Sequence, residues 1–320
     1  MWAVATLEEG SETLTFAEFA EAWLDHTRAR VRPSTYRGYE GLMRCYGIPA
    51  LGSIPLAALH PLHIQHVESR ALDRVSAGTV LNLHLVLTQA LNQAVRWGLI
   101  GANPAKGAQP PRPRRPEPVT VSKELARRVL KAAEGTPLAL PVALALATGM
   151  RRGEILGLRW GDLDEGHTRA FVRRSLHATT DGLSFQEPKT RRSRRAVALP
   201  EFIRPYLASE RADQVSRRAR YGPRWQDSGL VVCARDGAPV YPDTVSTSFR
   251  ALRRRAGLPA IRFHDLRHAH ATLMLLQGVH PKVVSERLGH ASVGITLDIY
   301  SHVLPSMQSE AVQAFDRLFA

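Results

Sequence analysis

Cysteine is nearly missing from this 320-residue chain: Cys45 and Cys233 are its only two and stand far apart. That excludes a disulfide-stapled scaffold and fits a reducing compartment, the cytoplasm. Lysine is scarce as well, five among 43 basic residues, so the positive charge is carried by arginine. No apolar run approaches the ~18 residues a membrane helix needs, which sets a membrane role aside. The opening Met1-Trp2-Ala3-Val4-Ala5 has no basic residue ahead of its short apolar stretch, unlike a secretory signal.

The chain does have enough apolar material, 44%, to build packed cores, and enough length for two ordinary domains. Its net charge is +14, the balance of a protein with a polyanionic partner, most often nucleic acid. A biased arginine-rich composition gives the same balance without a partner, so charge alone leaves both readings open. The charge is uneven. Residues 1–105 hold eight arginines against nine acids, and all six acids up to Asp25 precede the first base, Arg28. That acidic start is expected to face away from DNA or to meet another protein. The excess sits in 106–118 and, above all, in 119–320.

The stretch 107–118 carries five prolines, which forbid a continuous helix and favour an extended path. It marks a basic Pro-rich linker over 106–118, and Arg112, Arg114 and Arg115 on it suit a phosphate backbone, although a merely solvated strap reads the same. Before it, 13–105 is all-helical in pattern. Thr15 caps a helix with Phe16, Phe19, Ala20 and Trp23 on one face, Pro33 and Pro61 open two more, and Ser76 caps a long fourth with Val80, Leu83, Leu87, Leu91 and Val95 at helical spacing. After it, 119–320 is mixed. Helices are expected from Ser122 and Pro141, then strands over Ala170–Arg174, Leu183–Gln186 and Ala196–Leu199 with Gly182 turning between the first two, a strand or core segment at Leu230–Cys233, and helices again from about Asp243. The fold class expected is mainly α with a small antiparallel β-sheet in the second domain.

Four motifs carry chemistry. In Thr148-Gly149-Met150-Arg151-Arg152-Gly153-Glu154 an apolar helix is broken and Arg151 stands at the start of the next, where a planar guanidinium and helix-start N–H groups suit an anion; Glu154, one turn on, can hold an arginine in place. In Phe263-His264-Asp265-Leu266-Arg267-His268, a helix would put His264 and Arg267 on one face as a donor pair. His264 and His268 have zinc-protease spacing, but Asp265 stands where that motif needs Glu, so no metal site is expected. Glu187-Pro188-Lys189-Thr190, followed by Arg191 and Arg192, reads as a turn bearing a rare lysine, or equally as a solvated basic loop. Last come Arg287-Leu288-Gly289-His290 and Thr296-Leu297-Asp298-Ile299-Tyr300-Ser301-His302-Val303. A lone tyrosine on an amphipathic segment is ordinarily core, since a phenol with pKa near ~10 needs activation to attack.

These pieces in this order resemble the tyrosine recombinase, or phage-type integrase, family over about 15–320. The resemblance implies a two-domain architecture: a SAM-like core-site DNA-binding domain over 13–105 and a catalytic domain over 119–320, joined by the linker. It implies catalysis by Arg151, Lys189, His264, Arg267, His290 and Tyr300, with Arg112, Arg114, Arg115, Arg191 and Arg192 as DNA contacts. Tyr300 would form a 3′-phosphotyrosyl link, the two arginines would bind the scissile phosphate, Lys189 would protonate the leaving oxygen, His264 would assist proton transfer and His290 would hydrogen-bond the phosphate. Glu154 would orient its neighbours. No cofactor is implied. The partners implied are double-stranded DNA with attachment-type sites, three further copies of the chain on two duplexes, and a directionality factor, all in a cytoplasmic, nucleoid-associated setting. The arm-site-binding domain of many integrases is expected to be absent, and the tail ending in Phe315 and Phe319 to dock on a neighbouring subunit or on its own domain. A type IB topoisomerase and a catalytically inactive DNA-binding relative are the alternatives.

Overall fold

The computed structural model describes residues 14–113, 121–187, 194–290 and 292–294, with 297, 312, 315–317 and 319. The chain divides between Glu117 and Pro118 into two compact units, with the short segment Thr179–Gly182 grouped with the first. Among the described residues, no helix is long and apolar enough to cross a membrane.

The first unit is helical: α1 Phe16–Arg28, α2 Pro33–Leu42, α3 Ile48–Leu51, α4 Pro61–Leu72 and α5 Ala77–Arg96. Its helix starts are written locally. Thr15 accepts from the backbone of Glu18 while the Glu18 carboxylate accepts from the backbone of Thr15, 2.8 Å away, a reciprocal cap. Ser76 caps α5 from one side only, its hydroxyl accepting from the backbone N–H of Thr79. A π-helical turn, Met43–Gly47, runs α2 into α3, and Pro at N1 or N2 opens α2, α3 and α4. Phe16, Phe19 and Trp23 of α1 meet Leu83, Leu87 and Leu91 of α5 in the core. Glu68 on α4 and His84 on α5 form a buried pair at 2.7 Å. A 3-10 turn, Pro104–Gly107, puts Ala105 and Ala108 into this core as well, so packing in the first unit reaches past 105.

The second unit holds α6 Lys123–Ala133, α7 Ala139–Thr148, α8 Arg152–Leu156, strands β1 Arg169–Val172, β2 Ser175–Thr179, β3 Gly182–Gln186 and β4 Arg195–Ala198, then α9 Arg204–Tyr221, α10 Pro242–Arg255, α11 Asp265–Leu276 and α12 Pro281–Leu288. Every residue of α7 from Leu140 to Thr148 is buried; apolar on all sides, it is the axis on which α6, α8, α9 and α11 pack.

The strands differ from expectation. The strand expected over Ala170–Arg174 is present as β1 but ends at Val172, Arg173 and Arg174 being held toward the buried Asp162 carboxylate, and a strand not expected, β2, starts at Ser175. Two two-stranded sheets result. β1 pairs antiparallel with β4, Ala170 opposite Val197, and β2 pairs with β3. Gly182, φ 113°, therefore turns β2 into β3, not the first expected strand into the second. Leu230–Val232 is core: Leu230 makes a single bridge to Arg159 and all three side chains are buried.

Candidate active site

The site grows from two helix ends closed by left-handed glycines. α7 stops at Gly149, φ 64°, where the Thr148 hydroxyl donates back to the Leu144 carbonyl and accepts from the backbone of Met150. A methyl group on Gly149 would come within 2.7 Å of the His270 ring, so conformation and space both require glycine here. α12 stops at Gly289, φ 67°, and turns the chain into His290.

Arg151 follows the first turn as the N-cap of α8. The Glu154 carboxylate accepts from its backbone N–H and from its Nη1, each at 2.9 Å. Glu154 is buried, 4% exposed, and burial pushes its carboxyl pKa up; Arg195 and Arg151 outweigh that and leave it below the usual carboxylate range.

Arg267 on α11 is buried at 3% exposure, and its guanidinium donates to two backbone carbonyls, Gly149 at 2.7 Å and Leu288 at 2.8 Å. Arg151 Nη2 reaches the next carbonyl, Gly289, at 3.4 Å. Two guanidiniums thus moor to consecutive peptide oxygens of one turn.

The imidazoles around them are held neutral. His290 is pushed down to about 4 by burial, then by Arg267, Arg151, His268 and Arg195. His264 immediately precedes α11. Packed protein behind the ring, then His268 and Arg267, push it down to about 4, while its outer face is open to solvent. Its ring meets that of His268 edge-on at 5.3 Å. His264, in helical conformation at the cap, lies one turn before Arg267, whose N–H donates to its carbonyl at 3.1 Å; Arg267 is buried, while His264 sits exposed at the helix start.

Three further groups complete the frame, none given a role from sequence, although Arg195 and Arg287 stand within the motifs. Arg195, first residue of β4, donates to both Glu154 oxygens. Arg287 donates to the carbonyls of Ala147 and Ala198, each at 2.8 Å, and through Nε to His270 Nε2 at 3.0 Å. His270, buried on α11, places Nδ1 2.8 Å from the Leu146 carbonyl. That pattern assigns the proton to Nδ1 and leaves Nε2 as acceptor, the neutral tautomer, and burial first and Arg287 second push this ring down to about 4.

Of the residues expected to act, Arg151, His264, Arg267 and His290 are brought together here. Lys189 and Tyr300 lie outside the described residues, as do Arg114, Arg115, Arg191 and Arg192. Arg112 is exposed in the first unit. That unit also has a groove of about 340 Å³ between α1 and α5, where Trp23, Val31 and Leu85 line it together with His26, Arg30 and Asn92.

A mostly helical two-unit chain whose second unit gathers moored arginines and neutral imidazoles has a cationic site suited to a phosphate-like anion. The sequence matches the phage integrase family over 120–307 and the phage integrase N-terminal SAM-like domain over 15–70. It is 29% identical to a "Tyrosine recombinase XerC-like" protein of Caldanaerobacter subterraneus subsp. tengcongensis, covering 96% of this chain and 84% of that one. It is 30% identical to "Tyrosine recombinase XerC" of Mycobacterium sp. (strain KMS), covering 87% and 88%. Among solved structures, the Tn1549 transposon integrase with circular-intermediate DNA superposes with TM-score 0.72 at 20% identity, covering 92% of this chain and 99% of that one. The lambda integrase dimer on a core site gives 0.67 at 19%, covering 89% and 95%. The chain belongs to the phage integrase family, the site-specific tyrosine recombinases.

Proposed function

We propose that this chain cuts and rejoins double-stranded DNA at attachment-type sites through a 3′-phosphotyrosyl intermediate on Tyr300, moving a mobile element or prophage into or out of a genome. The observation that carries this reading is the mooring of Arg267 and Arg151 on the consecutive carbonyls of Leu288 and Gly289, beside imidazoles kept neutral.

In this mechanism Arg151 and Arg267 bind the non-bridging oxygens of the scissile phosphate and stabilise the charge of the crowded transition state. The Tyr300 oxygen attacks phosphorus, its proton passing to His264, whose depressed pKa leaves a free lone pair at neutral pH. The 5′ oxygen leaves and takes a proton from Lys189, while His290 donates a hydrogen bond to the phosphate. The 5′-hydroxyl of a second strand then attacks the phosphotyrosine and expels Tyr300. The phosphodiester energy is kept in the covalent link, so no ATP is consumed.

The first unit would hold the core site from the α1–α5 groove, where amide and guanidinium groups suit base edges and phosphates. Arg112, Arg114 and Arg115 would track the backbone between the units, and Arg191 and Arg192 would touch DNA beside Lys189. Lambda integrase has been solved as a tetramer bound to a Holliday junction. We extend that to this chain as a homotetramer on two duplexes in the cytoplasm, its direction set by an accessory factor. The exposure of Val312, Phe315 and Phe319 in the tail supports docking on a neighbour.

The test is covalent trapping. Duplexes tiled from the DNA flanking the gene, nicked so that the cleaved end diffuses away, are mixed with wild-type and Tyr300→Phe protein. A detergent-stable adduct with wild type alone is expected. Salt-sensitive binding by both proteins with no adduct on any duplex would replace this reading with that of an inactive DNA-binding relative.

A further inference from the structure

Arg195 joins two separate segments of the site, the start of α8 and the end of α12. Its Nη2 donates to Glu154 Oε2 at 2.9 Å and its Nη1 to Oε1 at 3.2 Å, both groups nearly buried, 7% and 4% exposed at the side chain. Its Nε donates to the Arg287 carbonyl at 2.6 Å. Each contact ends one step from a phosphate-binding group. Glu154 holds Arg151 by backbone and side chain. The Arg287 carbonyl directly precedes those of Leu288 and Gly289, the moorings of Arg267 and Arg151.

The carboxylate of Glu154 is saturated. Oε1 accepts from Arg151 Nη1 and Arg195 Nη1, and Oε2 from the Arg151 backbone and Arg195 Nη2. Removing Arg195 would empty two of those sites and free the carboxylate to rotate about Arg151. Gly289 is fitted to the same guanidinium. A methyl group there would lie 3.0 Å from Arg195 Nη1 and 3.2 Å from its Cζ, so the guanidinium rests on bare backbone. Lysine cannot replace this arrangement, because one ammonium does not present a planar fork to a carboxylate and a further N–H to a carbonyl.

We infer that Arg195 is a positioning residue of the recombination site, a brace that fixes the start of α8 against the end of α12 and thereby sets the grip of Arg151 and Arg267 on the scissile phosphate. The inference rests on the function proposed above. It separates Arg195 from the neighbouring Arg191, Arg192 and Arg194, which belong to the same basic run: Arg194 pairs with the exposed Glu187.

The test measures covalent-adduct formation on the nicked flanking duplexes at saturating full-length protein, DNA affinity by titration, and thermal melting, for wild type, Arg195→Ala, Arg195→Lys and Tyr300→Phe. Arg195→Ala should slow the covalent step on the order of 100-fold, as a misplacement of about an ångström does. Its DNA affinity should stay within about 3-fold of wild type, the split expected when an interaction acts on the chemical step rather than on binding. Arg195→Lys should be slowed as well, and added guanidinium ion should restore part of the Arg195→Ala rate, which it would not do for a merely structural loss. Wild-type rates in both variants would overturn the inference, as would a loss in Arg195→Ala that guanidinium leaves untouched and that only follows the folded fraction. If Arg195→Ala does not fold, Arg195→Lys decides: a slowed covalent step in a protein that melts like wild type supports the brace, and a wild-type rate removes it. Absence of an adduct with wild-type protein is a different result, which sinks the proposed function and this inference together.

Discussion

Glu154 and Arg195 face each other across the buried floor of the site, the guanidinium Nη2 2.9 Å from the carboxylate Oε2, with Arg151 sharing the same carboxylate from the other side. One anion therefore serves two cations, and its loss deprives the nearly buried Arg195 guanidinium of its carboxylate, while Arg151 stays half open to solvent. Breaking a buried pair from one end typically costs about 3–5 kcal/mol. Glu154→Ala is expected to lose stability in that range in urea titration, with the slope of the transition unchanged. A change under about 0.5 kcal/mol, the size of a plain surface substitution, would show that the pair is not held in solution.

Acid should weaken the second unit through its histidines. The His270 pKa falls from 6.5 to about 4 on folding, so between those values the unfolded chain binds a proton that the folded ring refuses. Stability contributed by neutral His270 is complete above pH 6.5 and is lost as pH falls toward 4. The full displacement corresponds to about 3 kcal/mol. Glu154, with its depressed pKa, adds loss of the same sign at lower pH. Urea midpoints from neutral to about pH 4.5 should fall for wild type and fall less steeply for His270→Leu, and parallel curves would contradict the burial of that ring.

DNA should bring protons with it. His290 is depressed by burial and by four neighbouring cationic or ionisable groups, and a phosphodiester placed among them adds a negative charge that raises it again. Calorimetric titration of Tyr300→Phe with a core-site duplex near pH 5.5, in two buffers of different ionisation enthalpy, should report net proton uptake. His290→Asn should reduce it. Equal uptake in the two proteins would move the phosphate away from His290.

The charged strap is open to a salt test. If Arg112 contacts a phosphate, Arg112→Ala should lower the slope of log K against log salt by about 0.9 and leave discrimination between sequences unchanged. An unaltered slope would make Arg112 a solvated residue of the linker.

Much of this architecture is written within a few residues of where it acts. Thr15 with Glu18, Ser76 and Ser122 announce their helices because a cap is a contact three residues long. Glu154 beside Arg151 was visible for the same reason. Arg195 was not: it lies in the run Arg191-Arg192-Ser193-Arg194-Arg195, where every arginine looks solvated, and only the pairing of β4 with β1 turns its side chain inward toward Glu154. The pairing is equally hidden in the sequence, because β1 finds its partner at β4 while the adjacent hairpin is made by β2 and β3, and alternation along a strand does not name the strand opposite. The helical spacing of His264 and Arg267 is legible in the sequence, but their unequal burial is not, because it depends on what α11 packs against.

The arginines at the heart of the site are tied largely to peptide oxygens: Gly149 and Leu288 for Arg267, Gly289 for Arg151, Ala147 and Ala198 for Arg287. No side-chain exchange at those five positions can delete such an acceptor. Sequence drift there is invisible to the guanidiniums as long as the chain keeps its path, and what must not drift are the two left-handed glycines that bend it. A scan by side-chain replacement would therefore find Gly149 and Gly289 intolerant and the exposed anchor Ala198 permissive, whereas exchanging a single amide for an ester would strike the scaffold that such a scan cannot see.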